Sequence, residues 1–103
     1  MFNYQIIIEY DGTNFVGWQK QKNGASVQQA IEKIIIKILK EKIKLYGSGR
    51  TDSGVHAIAQ SANFILKSKI NNKFLFLNSV NFFLNQKKIS ILKINEKKKN
   101  FHA

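Results

Sequence analysis

The stretch Ser26–Leu39, SVQQAIEKIIIKIL, decides the fold because it is the clearest helix in a chain otherwise made of short apolar runs. Its apolar residues recur at the spacing i, i+3, i+4, i+7 and i+8, which places them on one helix face with the lysines opposite. Ser26 is a favourable N-cap, and Gln29 three residues later completes a capping-box pattern. We therefore predict an amphipathic helix that packs one face against a core. That face consists of Val27, Ala30, Ile31, Ile34, Ile35, Ile38 and Leu39.

The segments on either side of this helix predict strands and one further helix. The strand segments are YQIIIEY (4–10, ended by the turn residues DGTN), KIKLYGS (42–48), AIAQSANFILK (57–67) and KKISILKIN (87–95). NNKFLFLNSVNFFLN (71–85) predicts a second helix, although its apolar residues do not form one stripe. The order β-α-β-β-α-β predicts an α+β, ferredoxin-like fold. Its two helices cover one face of a four-stranded antiparallel sheet and leave the other face open, to bind RNA or to pack a second sheet.

Length and composition bound the class of protein. A chain of 103 residues has room for one small domain, and 44% hydrophobic residues are typical of a globular protein. The absence of cysteine excludes disulfides and thiolate metal sites. The apolar runs are too short to span a bilayer, and Met1–Tyr4 lacks the basic region of a signal peptide. We therefore expect a protein without a membrane segment and take a cytoplasmic location as the default, although the absence of cysteine is also compatible with export.

The net charge of +11 is the strongest compositional feature, and it is uneven. Residues 67–103 contain nine lysines and a single glutamate. Such an excess indicates a polyanionic partner, with nucleic acid ahead of an anionic membrane or an acidic protein. An AT-rich genome, which enriches lysine, isoleucine and asparagine, explains the same composition. Charge alone therefore does not establish that the protein binds nucleic acid.

The segment YGSGRTDSGVHA (46–57) contains three of the six glycines and the only arginine of the chain. In an extended segment Arg50 and Asp52 point to the same side, where the guanidinium keeps the carboxylate ionised. An ionised aspartate held in this way can act as a nucleophile or a base. A glycine-rich turn braced by an Arg–Asp pair explains the same residues, and spacing alone favours that structural explanation.

The histidines and the other carboxylates are weaker candidates for a functional site than Arg50 and Asp52. His56 has no serine, cysteine or ligand cluster beside it, so a structural role is favoured, and with only the distant His102 as a companion no metal site is predicted. Glu9 and Asp11 alternate onto one side of a strand end, which raises the idea of a two-carboxylate glycosidase. Trp18, among other aromatic residues and lysines, suits base stacking as well as it suits a core position.

At these residues the chain resembles a known family. EYDGTNFVGWQKQ (9–21), SVQ (26–28), GSGRTDSGVHA (47–57) with Gln60, and NFHA (100–103) resemble, in this order, the motifs of the tRNA pseudouridine synthase A family. The resemblance extends over essentially the whole chain. It implies isomerisation of uridine to pseudouridine at nucleotide positions 38–40, in the anticodon stem-loop of tRNA. It also implies a homodimer that needs no metal or organic cofactor.

The resemblance also implies roles for individual residues. Asp52 matches the catalytic aspartate, and Arg50 matches the arginine that interacts with the flipped nucleotide and with that aspartate. The other implied substrate-binding residues are Thr51, Tyr10, Asp11, Trp18, Gln19, His56 and Gln60. Attack of the carboxylate on the ribose, attack on the uracil ring, and proton removal to give a glycal all remain open.

Two departures from the family pattern bear on activity. The segment LNQKKIS (84–90) lacks a proline that is usual in the family, which we interpret as a loop change. Residues 1–103 resemble only the N-terminal half of the family's chains, and the second half closes the cleft over the target base. We therefore expect this half to be incomplete as an enzyme when isolated. The alternatives are a non-catalytic RNA-binding module, an inactive remnant and, more remotely, a glycosidase.

Overall fold

The computed structural model describes residues 1–11, 26–47 and 57–102. Its elements follow the order that the sequence predicts, with a short 3₁₀ turn at Asn85–Lys87 before the last strand. The strands and helices are β1 (Phe2–Tyr10), α1 (Val27–Leu39), β2 (Tyr46–Gly47), β3 (Ala57–Leu66), α2 (Lys73–Leu84) and β4 (Ile89–Lys97).

The four strands form one antiparallel sheet in the order β2-β3-β1-β4. This topology confirms the α+β, ferredoxin-like prediction. β1 occupies a central position, between β3 on one side and β4 on the other. The residue at the C-terminal end of β1 therefore contacts both neighbouring strands.

The core lies between the helices and one face of the sheet. Alternate residues of β1 are buried, beginning with Tyr4, as a strand covered on one face requires. The ring of Tyr4 stacks on Phe64 of β3 at a centroid distance of 5.9 Å, and Phe64 in turn contacts Phe76 of α2. Burial of each large apolar side chain contributes about 1.5–3 kcal/mol, so this layer dominates the stability of the fold. From α1 the buried members are Val27, Ile31 and Ile35.

Helix α1 begins where the capping residue predicts. The Oγ of Ser26 accepts a hydrogen bond of 3.1 Å from the backbone N–H of Gln29. The helix ends at Lys40, which adopts a left-handed conformation with φ 54° and donates its N–H to the carbonyl of Ile36. A lysine in this conformation stands where glycine is favoured, because a Cβ atom makes left-handed backbone costly.

The second strand begins later than the predicted segment 42–48, because residues 42–45 form no strand. Of the described residues 42–47, only Tyr46 and Gly47 pair with β3. The backbone of Leu45, just before them, is bonded to α1 instead of to the sheet: Glu32 accepts its N–H and Gln28 donates to its carbonyl. The prediction of a strand from residue 42 was wrong because these two helix side chains satisfy the backbone groups that a strand would pair.

Helix α2 makes a comparable contact with the opposite edge of the sheet. Asn72 caps the helix by accepting the N–H of Leu75. Further along, the side chain of Asn81 accepts the N–H of Ile91 at 2.8 Å and donates to the carbonyl of Ile91 at 2.9 Å. The side-chain amide thus holds β4 beside α2 next to an irregularity, where the register of β1 with β4 shifts between Ile7 and Ile8.

The sheet face opposite the helices is lined by polar side chains. Gln5 of β1 donates to Ser61 of β3, and Asn63 donates to the side-chain oxygen of Asn3. Asn3 is buried, and its amide also donates to the carbonyls of Lys98 and Phe101. The end of the described chain therefore covers part of the face that we expected to be fully open.

Candidate functional site

The C-terminal end of β1 is the point at which three strands meet. Tyr10 pairs with Ala57, the first residue of β3, and with Ile89, the first residue of β4. The register of β1 with β3 shifts between Ile8 and Tyr10, so β1 is irregular toward this end on both sides. Such bulges reorient side chains and are common beside active sites.

Tyr10 and Gln60, two of the predicted substrate-binding residues, are brought together at this end of the sheet. The hydroxyl of Tyr10 donates to Oε1 of Gln60 at 2.8 Å, and the tyrosine is only 3% exposed. Gln60 is half-buried and lies opposite Ile8 in the register. The pair therefore joins the end of β1 to the beginning of β3 on the buried side of the sheet.

Asp11 is the third described member of the predicted site. It follows β1 directly, is half-buried, and donates its backbone N–H to the carbonyl of Lys88 at 3.0 Å. Lys88 is the residue before β4 and has a left-handed backbone, with φ 59°. The turn into β4 therefore fixes the backbone of Asp11 next to Tyr10.

The remaining predicted site residues lie outside the described residues. They are Arg50, Thr51, Asp52, His56, Trp18 and Gln19. Segment 12–25 follows Asp11 and precedes Ser26, and segment 48–56 follows Gly47 and precedes Ala57. Their implied roles stay predictions.

The carboxylates at the end of β1 differ in environment. Glu9 is exposed in β1 opposite Ser90 of β4, whereas Asp11 is half-buried beyond the end of the strand. Among the described residues, no group of three histidine, cysteine, aspartate or glutamate side chains is placed to hold a metal ion.

A groove on the polar sheet face combines aromatic, apolar and cationic groups. Tyr46 is 49% exposed and Ile65 is 41% exposed, and the Nζ of Lys44 lies 5.4 Å from the centroid of the Tyr46 ring. The groove encloses about 300 Å³ and is lined by Lys42, Ile43, Lys44, Tyr46 and Ile65. An exposed ring flanked by lysines can stack on a base while the ammonium groups contact phosphates.

The segment Lys97–Phe101 adds further cationic groups to the same face. The Nζ of Lys97 lies 5.3 Å from the centroid of the Phe101 ring, and the carbonyl of Phe101 accepts the amide of Asn3. Lys93 and Lys97 lie opposite Ile7 and Asn3 in the register, so both belong to the polar face. This face therefore has positive charge along β4 as well as at the β2 edge.

Glu32 of α1 lies in none of the segments that resemble the family's motifs, whereas Gln28, one turn earlier, is the last residue of SVQ. The signal in the sequence is two polar residues at positions i and i+4, spaced so that both face one way on the helix. Both are half-buried, and both bond to the backbone of Leu45.

No helix in the described part of the chain is long and apolar enough to cross a membrane.

Comparison with known proteins agrees with these observations. A family model described as tRNA pseudouridine synthase matches residues 6–103. A relative from Pelagibacter ubique (strain HTCC1062), named tRNA pseudouridine synthase A, is 55% identical over 103 residues, which is 100% of this chain and 42% of the relative. A relative of the same name from Ehrlichia ruminantium (strain Gardel) is 43% identical over 101 residues, covering 97% of this chain and 41% of the relative.

A third relative of that name shows stronger identity over a shorter region. The protein from Caldicellulosiruptor saccharolyticus is 58% identical over 82 residues, which is 78% of this chain and 34% of the relative. The chain thus spans about two fifths of the length of the first two relatives, and it matches their N-terminal part.

Proposed function

Because this chain belongs to the tRNA pseudouridine synthase family, we propose that it contributes the catalytic loop of an enzyme that isomerises uridine to pseudouridine in tRNA. The observation that carries the proposal is the sequence GRTDSGVHA at 49–57, within a chain whose match to the family extends over 6–103. We assign the anticodon stem-loop as the region of tRNA that is modified.

The reaction rearranges atoms without net oxidation or hydrolysis. The N1–C1′ bond breaks, the uracil turns, C5 bonds to C1′, and the proton lost from C5 is balanced by one gained at N1. We assign Asp52 as the carboxylate that starts this sequence and Arg50 as the cation that holds it ionised and oriented. Since no electron or group is supplied from outside, the chemistry requires no redox cofactor.

The target base must leave its stack before the carboxylate can reach it. Extrusion of a nucleotide costs a few kcal/mol, which contacts with the RNA backbone must offset. Support for such contacts comes from the net charge of +11 and from Lys44, Lys93 and Lys97 on the polar sheet face. We expect that face to receive the tRNA, since the helices cover the other one.

Three of the predicted substrate-binding residues lie in the described part of the chain and support the proposal: Tyr10, Asp11 and Gln60. The bond between Tyr10 and Gln60 fixes the strand end beside Ala57, where the chain leaves the segment that contains Asp52. We propose that Thr51, His56, Trp18 and Gln19 complete the substrate-binding set. We further propose a cytoplasmic enzyme in which two copies of the full-length chain bind tRNA together.

One assay tests the proposal. Pseudouridine formation on an anticodon stem-loop RNA is measured with this chain alone and with the part of the Pelagibacter relative beyond the matched region supplied separately. We expect turnover in the second preparation and its loss in Asp52→Ala, with RNA binding retained. Undiminished turnover in Asp52→Ala would contradict the assignment. RNA binding without turnover in either wild-type preparation would favour a non-catalytic RNA-binding module.

A further inference from the structure

Two side chains of α1 hold both backbone groups of a single residue. Nε2 of Gln28 donates to the carbonyl oxygen of Leu45 at 2.7 Å, and Oε2 of Glu32 accepts the N–H of Leu45 at 2.8 Å. Gln28 and Glu32 are one helical turn apart, so they reach the same peptide region from one face of α1. We call these three residues the α1 clamp.

The α1 clamp is stronger than a surface contact. Leu45 is fully buried, and both of its partners are half-buried. A hydrogen bond to an ionised carboxylate is shorter and about twice as strong as a bond between neutral groups. Removal of either partner would leave a buried backbone group unsatisfied, so the clamp determines where the backbone of Leu45 lies relative to α1.

The position of the clamp along the chain gives it a functional meaning. Leu45 precedes β2, and Gly47 at the end of β2 is the last described residue before segment 48–56. That segment contains Arg50 and Asp52. Among the described residues before this entry point, only Tyr46 and Gly47 pair with β3, so the bonds to Leu45 add to a short described pairing.

We propose that Gln28 and Glu32 are positioning residues that set where the chain enters the catalytic segment. The inference rests on the proposed role of Asp52. A misplacement of about 1 Å in a reacting group can lower a rate by about a hundredfold, so an entry point fixed by two hydrogen bonds matters for the reaction. Neither residue is assigned a contact with the substrate.

The two bonds make opposite chemical demands, which permits discriminating variants. Glu32 must accept a hydrogen bond, and Glu32→Gln retains an acceptor oxygen, whereas Glu32→Ala does not. Gln28 must donate, and Gln28→Glu replaces the donor by a carboxylate that faces the carbonyl of Leu45. Glu32→Gln should therefore rescue what Glu32→Ala loses, and Gln28→Glu should be as impaired as Gln28→Ala.

Single-turnover rates measured in the preparation whose activity depends on Asp52 provide the first test. We expect Glu32→Ala and Gln28→Ala to lower the rate about tenfold to a hundredfold, with RNA affinity changed less than about threefold. Glu32→Gln should remain within about threefold of the unmodified chain. Wild-type rates in both alanine variants would overturn the inference, and so would equal losses in Glu32→Gln and Glu32→Ala.

The matched control is Glu41, which makes the same kind of bond elsewhere. Its Oε2 accepts the backbone N–H of Lys67, just after β3, at 2.6 Å. Glu41→Ala removes a carboxylate from one backbone N–H without touching the clamp, so its single-turnover rate should not change. A rate loss in Glu41→Ala equal to that of Glu32→Ala would overturn a specific role for the clamp.

Amide hydrogen exchange provides a test that does not require activity. In Glu32→Ala the amide of Leu45 should exchange at least about tenfold faster, while that of Phe64 in β3 stays protected. Unchanged exchange at Leu45 would overturn the clamp itself, whatever the rates are. If Glu32→Ala does not fold, the single-turnover rate of Gln28→Ala decides, because that variant removes the other bond to Leu45. Retained turnover in Asp52→Ala would instead contradict the proposed function. The exchange measurement at Leu45 would still test the α1 clamp in that case.

Discussion

The hydroxyl of Tyr10 donates a 2.8 Å hydrogen bond to the side-chain oxygen of Gln60, fifty positions later in the chain. Both residues lie in segments that resemble the family's motifs. Their bond joins the last residue of β1 to β3 close to the two points where the chain meets segments 12–25 and 48–56. It is thus a structural link between the two parts of the sequence that contain the remaining site candidates.

Tyr10→Phe should weaken both stability and activity. Loss of the hydroxyl removes the donor to Gln60 at a largely buried position, which lowers the free energy of unfolding by about 1–2 kcal/mol. We expect the rate of pseudouridine formation to fall as well, because the end of β1 loses its side-chain bond to Gln60 of β3, while the backbone pairing of the two strands remains. Urea unfolding and initial rates measure the two effects.

The control for this variant is Tyr4→Phe. The hydroxyl of Tyr4 accepts the backbone N–H of Ile70 at 2.9 Å in the core, so its loss should cost similar stability. The rate at saturating RNA and at a temperature well below unfolding should stay at the wild-type value. An equal rate loss in both variants would show that the effect of Tyr10→Phe is one of stability alone.

Arg50→Lys should impair catalysis although it preserves the charge. A guanidinium can bind a carboxylate through two parallel N–H groups, whereas an ammonium acts as a point charge. We expect the single-turnover rate to fall about tenfold or more. Lys33→Arg is the control exchange on the exposed side of α1, away from the polar sheet face, where it should leave the rate unchanged. A wild-type rate in Arg50→Lys would count against a geometric role for this arginine.

RNA binding should depend steeply on salt and should be sensitive to lysines of one sheet face. Lys93 and Lys97 lie on the polar face of β4. Replacing both by glutamine should weaken binding to the anticodon stem-loop and reduce the slope of log affinity against log salt by about 1.5, since two phosphate contacts are lost. Fluorescence anisotropy over a salt series measures this slope.

The double variant Lys33→Gln, Lys73→Gln changes the net charge by the same amount on the helices. Both lysines are exposed, in α1 and at the start of α2. The salt slope should remain close to that of the unmodified chain, because these lysines lie on the layer opposite the polar face. Equal effects of the two double variants would indicate that the RNA responds to net charge without using a particular face.

Lys40 and Lys88 should be replaceable by glycine with a gain in stability. Both have positive φ, 54° and 59°, where a Cβ atom is unfavourable. We expect Lys40→Gly and Lys88→Gly each to raise the free energy of unfolding by about 0.5–1 kcal/mol. Lys33→Gly, inside α1, should lower it by about 1 kcal/mol. Thermal unfolding distinguishes these signs, and destabilisation in all three variants would contradict the prediction.

Hydrophobic periodicity predicted α1 correctly, because Val27, Ile31 and Ile35 bury one helix face in the way their spacing requires, and the order of the elements then predicted the fold class. It was wrong at the start of β2, where residues 42–45 form no strand and the described strand is Tyr46–Gly47. The bonds from Gln28 and Glu32 to Leu45 depend on tertiary position, which no local pattern encodes. The helix end at Lys40 likewise lacks the glycine that usually marks such a position.

The candidate site was predictable mainly from the resemblance. Spacing alone gives no reason for Tyr10 and Gln60 to meet, because fifty residues separate them and the contact depends on the pairing of β1 with β3. Asp11 was predicted as a site residue, but its backbone bond to Lys88 needs the turn before β4. The groove beside Tyr46 on the polar sheet face forms only when β2 and β3 are adjacent.

The bonds between Asn81 and Ile91 bear on self-association of this protein. An edge strand with free N–H and C=O groups is a template on which another molecule can add a strand. At Ile91 of β4 both groups are occupied by an amide of the same molecule, and at Leu45, beside the opposite edge, Gln28 and Glu32 occupy them. One position at or beside each edge is therefore closed to strand addition by a helix side chain, so a substitution of Asn81, Gln28 or Glu32 would expose backbone groups there without any change in a strand.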